Sequence, residues 1–181
     1  MQNTKLRSRI LAATLTALVA LGATSSAHAY SIYRSVTADA ATGIVVWTAV
    51  NFGVSGNPPT LSFYYYPNDA AALLAMPGAQ CFVKVDLGNL VNPPPGTQIP
   101  IGNGIQFNAN AADNPRPFPW NVVFDNVQPG HWSIAKTEIQ NPTSSNNAAS
   151  RVAAVAFQAL ATTAGSGTTV VNGQLTNCAA Q

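Results

Sequence analysis

The sequence is short of charge, of histidine and of cysteine, and each shortage removes a class of protein. Charged side chains make up 8% of its 181 residues, eight basic and six acidic. Beyond the N-terminal region the basic residues Arg34, Lys84, Arg116, Lys136 and Arg151 stand singly. They form no stripe along a phosphate backbone, so no nucleic-acid partner is expected. Of two histidines only His131 lies past residue 29, and a hydrolase of the Ser–His–acid kind needs a preorganised histidine as its base. His131 follows a Pro-Gly pair with no obvious acid or nucleophile beside it, and reads as a solvent-exposed turn residue. No pair among Asp39, Asp69, Asp86, Asp113, Asp125 and Glu138 is marked out for glycosidase chemistry. Phosphate-binding glycine loops, zinc spacings and calcium loops are missing, and Asn108, Asn110, Asp113 and Asn114 read as a plain polar loop. No catalytic residue, metal or cofactor is expected, and the chain reads as a protein that is not an enzyme.

The N-terminal region has the parts of a secretory signal. Lys5, Arg7 and Arg9 form a basic start, residues 10–23 are uncharged and apolar, and Ala27-His28-Ala29 is the small-x-small pattern of a cleavage site. The apolar run falls short of the roughly 20 residues of a spanning helix. Residues 1–29 are therefore expected to be cleaved, with Tyr30 as the mature N-terminus. Removing 29 of 181 residues leaves 152, enough for one domain. Three basic residues leave with the signal, so five basic face six acidic residues in the mature chain. No later apolar run reaches spanning length, and a secreted or periplasmic location without an integral membrane segment is expected. A polar surface made of Asn, Gln, Ser and Thr carries little long-range repulsion, which permits self-association.

Cysteine is limited to Cys81 and Cys178. In an oxidising compartment such an isolated pair is expected to form one bridge, closing a loop of roughly 100 residues that is worth about 4–5 kcal/mol in the chain-entropy picture.

What the sequence has in quantity is short β-branched and aromatic runs separated by Pro, Gly and Asn, an all-β pattern. Gly43 to Phe52 alternates, with Ile44, Val46, Thr48, Val50 and Phe52 on one side. Leu61 to Tyr66 places Leu61, Phe63 and Tyr65 opposite Ser62, Tyr64 and Tyr66. Cys81, Val83, Val85 and Leu87 face inward, with Phe82, Lys84 and Asp86 outward. Asp69 to Met76, behind Asn68 as N-cap and before Pro77-Gly78, reads as a short helix. Ser150 to Thr163 fits a helix by its alanines and a strand by Val155, Phe157 and Ala159. Its β surroundings favour a hairpin, turned at 164–167, into a strand from Thr168 to Leu175. Regions 88–117 and 141–149 read as loops.

Phe124-Asp125-Asn126-Val127-Gln128-Pro129-Gly130-His131-Trp132-Ser133-Ile134 reads as strand, type II turn and strand, with Gly130 supplying a positive φ. It resembles the F-x-N-[LV]-x-P-G-x-[YW]-x-[VI] segment of prealbumin-like β-sandwich modules such as the stalk domains of Gram-positive adhesins. The resemblance spans 11 residues and implies that Phe124, Trp132 and Ile134 enter a sandwich core. Those modules carry an acidic residue four positions after the aromatic to promote an isopeptide bond. Here that position is Lys136 and the nearest acid is Glu138, so no such bond is expected.

The fold expected is one antiparallel β-sandwich, immunoglobulin-like or prealbumin-like, over residues 30–181 with one short helix. The function expected is a secreted structural or interaction role: a surface, appendage or matrix subunit, or an accessory of one, with a protein partner or its own copies. The alternative is a monomeric binding module for a carbohydrate or other small ligand. Tyr64, Tyr66 and Trp120 are the candidate contacts, since exposed aromatic faces stack on sugars or partner side chains, while core packing would account for them equally.

Overall fold

The computed structural model describes residues 29–181; the signal-sequence reading falls on 1–28, outside the described residues. Strands β1 (Ser31–Val36), β2 (Thr60–Tyr65), β3 (Cys81–Asp86), β4 (Gln98–Ile101), β5 (Trp120–Phe124), β6 (His131–Ala135) and β7 (Thr168–Asn172) make one antiparallel sheet. Their order is β4-β5-β6-β2-β1-β3-β7. Helices α1 (Asp69–Ala75), α2 (Lys136–Ile139) and α3 (Asn146–Thr162) complete the fold.

The sheet curls into a half-barrel instead of facing a second sheet, which corrects the sandwich expectation. Its inner face is filled by α3. Ala149, Val152, Ala153, Ala156, Phe157 and Leu160 are all buried, at the i, i+3, i+4, i+7, i+8 and i+11 spacing of one helical face. Ser145 caps the helix, its Oγ accepting from the Ala148 N–H at 3.1 Å. The hairpin expected at 150–163 is thereby overturned: five residues of alternation yield to twelve of helical period. Phe157 lies at the centre of the packing, 5.5 Å from the Phe52 ring, 5.2 Å from Phe63 and 6.3 Å from Trp120.

Cys81, Val83, Val85 and Leu87 do line the interior. Phe82, expected to face outward, is also fully buried, because α1 lies over the outer face and encloses Tyr33, Phe82, Ala72 and Ala79 in a second cluster. Asn68 caps α1 as expected, its Oδ1 accepting from Ala71 N–H at 2.8 Å. The Cys81–Cys178 bridge is present, with the Cα atoms 5.9 Å apart. It pins the C-terminal tail, where Ala179 pairs with Ile44 in a parallel bridge and the Trp47 Nε1–H donates to Ala180 O at 2.8 Å.

The alternating stretch 43–52 is not a strand. Only Ile44 and Val45 form isolated bridges, and Thr48 to Gly53 turns back on itself. Val45 and Phe52 are buried while Val50 is 86% exposed. The cause is a pair of polar anchors. The buried Asn51 amide accepts from Thr37 N–H and donates to Thr37 O and Val46 O, taking the place of a ladder. Arg34 points inward where β1 and β2 part after two paired positions, donating from Nε to Asn51 O and from Nη1 to Ser62 O, both at 2.7 Å. Burial lowers its guanidinium to about 10, so it stays a cation beside the Phe52 ring. The supposed loop 88–117 holds edge strand β4, and 141–149 includes the first turn of α3.

Candidate interaction surface

The outer face carries a cross-strand row that the register defines. Tyr64 on β2 opposes His131 on β6 and Tyr33 on β1, and Tyr33 opposes Lys84 on β3. The Pro129-Gly130 turn builds one end of it. The His131 N–H donates to Gln128 O at 2.9 Å and Gly130 has φ +75°, the geometry of the expected type II turn. Phe124, Trp132 and Ile134 are buried as anticipated.

His131 is not an exposed turn residue. It is 5% exposed, with Nδ1 2.5 Å from the Asp125 carboxylate and its ring 5.1 Å edge-on to Tyr64. The acid partner was overlooked because it sits six residues upstream, across the hairpin. Burial pushes the Asp125 carboxyl upward, but hydrogen bonds from His131 and Ser133, the charge of His131 and the Val127 N–H outweigh it and hold the group below its ordinary value. Farther along the row the Tyr33 hydroxyl donates to Asp69 at 2.9 Å, and Lys84 Nζ reaches the same oxygen at 2.8 Å. Burial and the neighbouring Asp69 drive the Tyr33 phenol well up.

The three aromatic candidates separate. Tyr64 and Tyr66 are half-exposed on the outer face, and the Tyr64 hydroxyl donates to Gln128 Oε1 at 3.2 Å. Trp120 is 1% exposed, packed on Phe107, Phe118 and Phe157, with Nε1–H donating to Arg116 O. Its face is closed by the aromatic cluster, so core packing, not contact, is what the structure assigns to it.

Sequence reasoning missed a groove at the end of the half-barrel. Tyr65, the middle member of the Tyr64-Tyr65-Tyr66 run, turns inward and stacks on Tyr30 with ring centroids 4.1 Å apart. With Phe124, Leu90, Val91 and Gly130 they line a groove of about 460 Å3. Val91 is 87% exposed on one bordering loop, and Val127 is 73% exposed on the turn that supplies Gly130. The signal available was two valines placed in Pro- and Gly-rich loops, where solvent-facing residues are ordinarily polar. Elsewhere a cleft of about 610 Å3 lies between α3 and the tail, edged by Phe107, Asn108, Gln158, Thr162 and Gln181.

Among the described residues no cluster of three or more His, Cys, Asp and Glu side chains could hold a metal ion, and no helix is long and apolar enough to cross a membrane. Compared with known proteins, the chain matches no family model, no curated sequence and no solved structure.

Proposed function

We propose that this chain is an exported, non-enzymatic structural or interaction protein, a subunit or accessory of a surface, appendage or matrix assembly, which binds protein partners including its own copies. The observation that carries this reading is the groove of Tyr30, Tyr65 and Phe124 lined by the exposed Val91, with a second exposed valine, Val127, three residues before the groove's Gly130. Apolar side chains held out to water beside an aromatic groove gain free energy when a partner covers them. With 8% charged residues, few like charges oppose the approach of a second copy. The disulfide is compatible with an extracytoplasmic site of action.

Sedimentation velocity of the mature protein over a wide concentration range tests the proposal. The weight-average mass should rise with concentration, and Val91→Asp with Val127→Asp should reduce that rise. The carbohydrate-binding alternative is favoured by the uncharged side chains of the 610 Å3 cleft, where amides, a hydroxyl and the Phe107 ring suit a neutral sugar. A strictly monomeric chain that releases heat on titration with neutral oligosaccharides would replace the first reading by the second.

A further inference from the structure

The two edges of the sheet are built differently. At the β4 edge, the Phe124 N–H donates to Thr97 O at 2.9 Å, which sets the phase of the ladder. Ile99 and Ile101 turn their backbone groups to β5, and Gln98 and Pro100 turn theirs outward. Pro100 has no N–H to offer, so this edge is a poor template for another strand.

At the β7 edge the Asp86 N–H donates to Gly167 O at 2.7 Å. By the same alternation Thr169 and Val171 face β3, and Thr168, Val170 and Asn172 face away. Thr168 is engaged locally, its N–H donating to Ser166 Oγ and its carbonyl accepting from it. Among the described residues no hydrogen bond reaches the backbone N–H or C=O of Val170. The strand itself, Thr168-Thr169-Val170-Val171-Asn172, carries no proline, no charge and no bulge, and α3 packs beside it.

We propose that β7 is the seam of a twofold dimer, in which a second copy of this chain adds its own β7 antiparallel about Val170. Across the axis Val170 opposes Val170 and exchanges both backbone hydrogen bonds. Thr169 opposes Val171 on the outer face, and Thr168 opposes Asn172 on the inner. The strand is complementary to itself, and no like charges meet. Lys84, which faces Thr169 from β3, is already neutralised by Asp69 at 2.8 Å. The blocked β4 edge prevents the seam from continuing edge to edge, so this contact closes as a dimer. A single pair of strands buries less than the roughly 1,000 Å2 of a stable interface, which makes the dimer weak and concentration-dependent.

The inference rests on the self-association reading and adds a second, separate contact to it. Its test combines sedimentation with amide hydrogen exchange on the mature, oxidised protein. Raising the concentration should bring a dimer step and slow exchange at the Val170 amide. Thr169→Lys places two ammonium groups diagonally across the axis on an exposed position, and should lower the association constant at least tenfold. Val170→Pro should abolish the step. The doubly substituted groove variant at Val91 and Val127 should keep it. A dimer that persists in the Thr169→Lys and Val170→Pro variants, or a Val170 amide whose exchange ignores concentration, overturns the edge seam while leaving groove-mediated association standing. A wild-type chain that never departs from the monomer overturns both.

Discussion

The inner and outer faces of one sheet are stabilised in opposite ways. Inside, Phe63, Trp120, Trp132 and Phe157 are fully buried and touch rings and aliphatic side chains, and the few polar groups, such as Arg34, Asn51 and Ser150, are each hydrogen-bonded. Outside, only the ground beneath α1 is dry, and the rest is a row of hydrogen-bonded Tyr, His, Lys and Asp. Because β-strand side chains alternate, each strand contributes to both faces at once. The inner face holds the fold together, which leaves the outer face and the strand ends free to carry contacts.

The sharpest way to break the comparison is from within. Phe157→Ala removes the ring that touches Phe52, Phe63 and Trp120, and should destabilise the domain by about 3–5 kcal/mol, a range typical of deleting a core phenyl group. Chemical denaturation of the substituted and parent proteins measures it. A loss below about 1 kcal/mol would mean that α3 does not fill the half-barrel.

Next in size is the bridge. Cys178→Ser should cost about 2–5 kcal/mol and release the tail first, since Ala179 and Ala180 depend on it to stay against Ile44 and Trp47. Thermal melts give the magnitude. Faster proteolysis beyond residue 172 than elsewhere gives the order, and uniform loosening would contradict it.

The smallest effect belongs to the outer row. A carboxylate held below its ordinary value stabilises the fold above the unfolded pKa, about 4, and that contribution is lost as pH falls through the folded value. The advantage of the parent over Asp125→Asn should therefore be full above about pH 4 and shrink below it. Melting temperatures of the two proteins between neutral and strongly acid pH check this. An advantage that persists unchanged in acid would show that His131 and Ser133 do not hold the Asp125 charge.

Several of these features were legible in the residues. The bridge, α1 with its Asn68 cap, the inward alternation of β3 and the type II turn at Pro129-Gly130 each depend on local chemistry or on a pairing with no competitor. The failures share one cause: a local pattern was outvoted at a distance. Gly43 to Phe52 alternates as a strand would, but its backbone is engaged by the Asn51 side chain folding back on Val46 and Thr37 and by Arg34 reaching in from β1. Val155, Phe157 and Ala159 alternate only while Ala149 and Leu160 are ignored. Phe82 reads as solvent-facing until α1 is placed above it. His131 and Asp125 meet only through the hairpin register, and the groove joins Tyr30 to Phe124 across 94 positions of sequence, which no window along the chain spans.

The 97-residue span of the disulfide also makes it a clock. Cys81 lies on β3, between β1 and the edge strand β7, whereas Cys178 follows the last strand, so the two sulfurs meet only after β7 has docked and the tail has folded back. A trap for free thiols, applied at intervals during refolding of the reduced chain, would record when that final docking occurs. The moment at which the pair ceases to be alkylated marks the end of assembly, written in covalent chemistry.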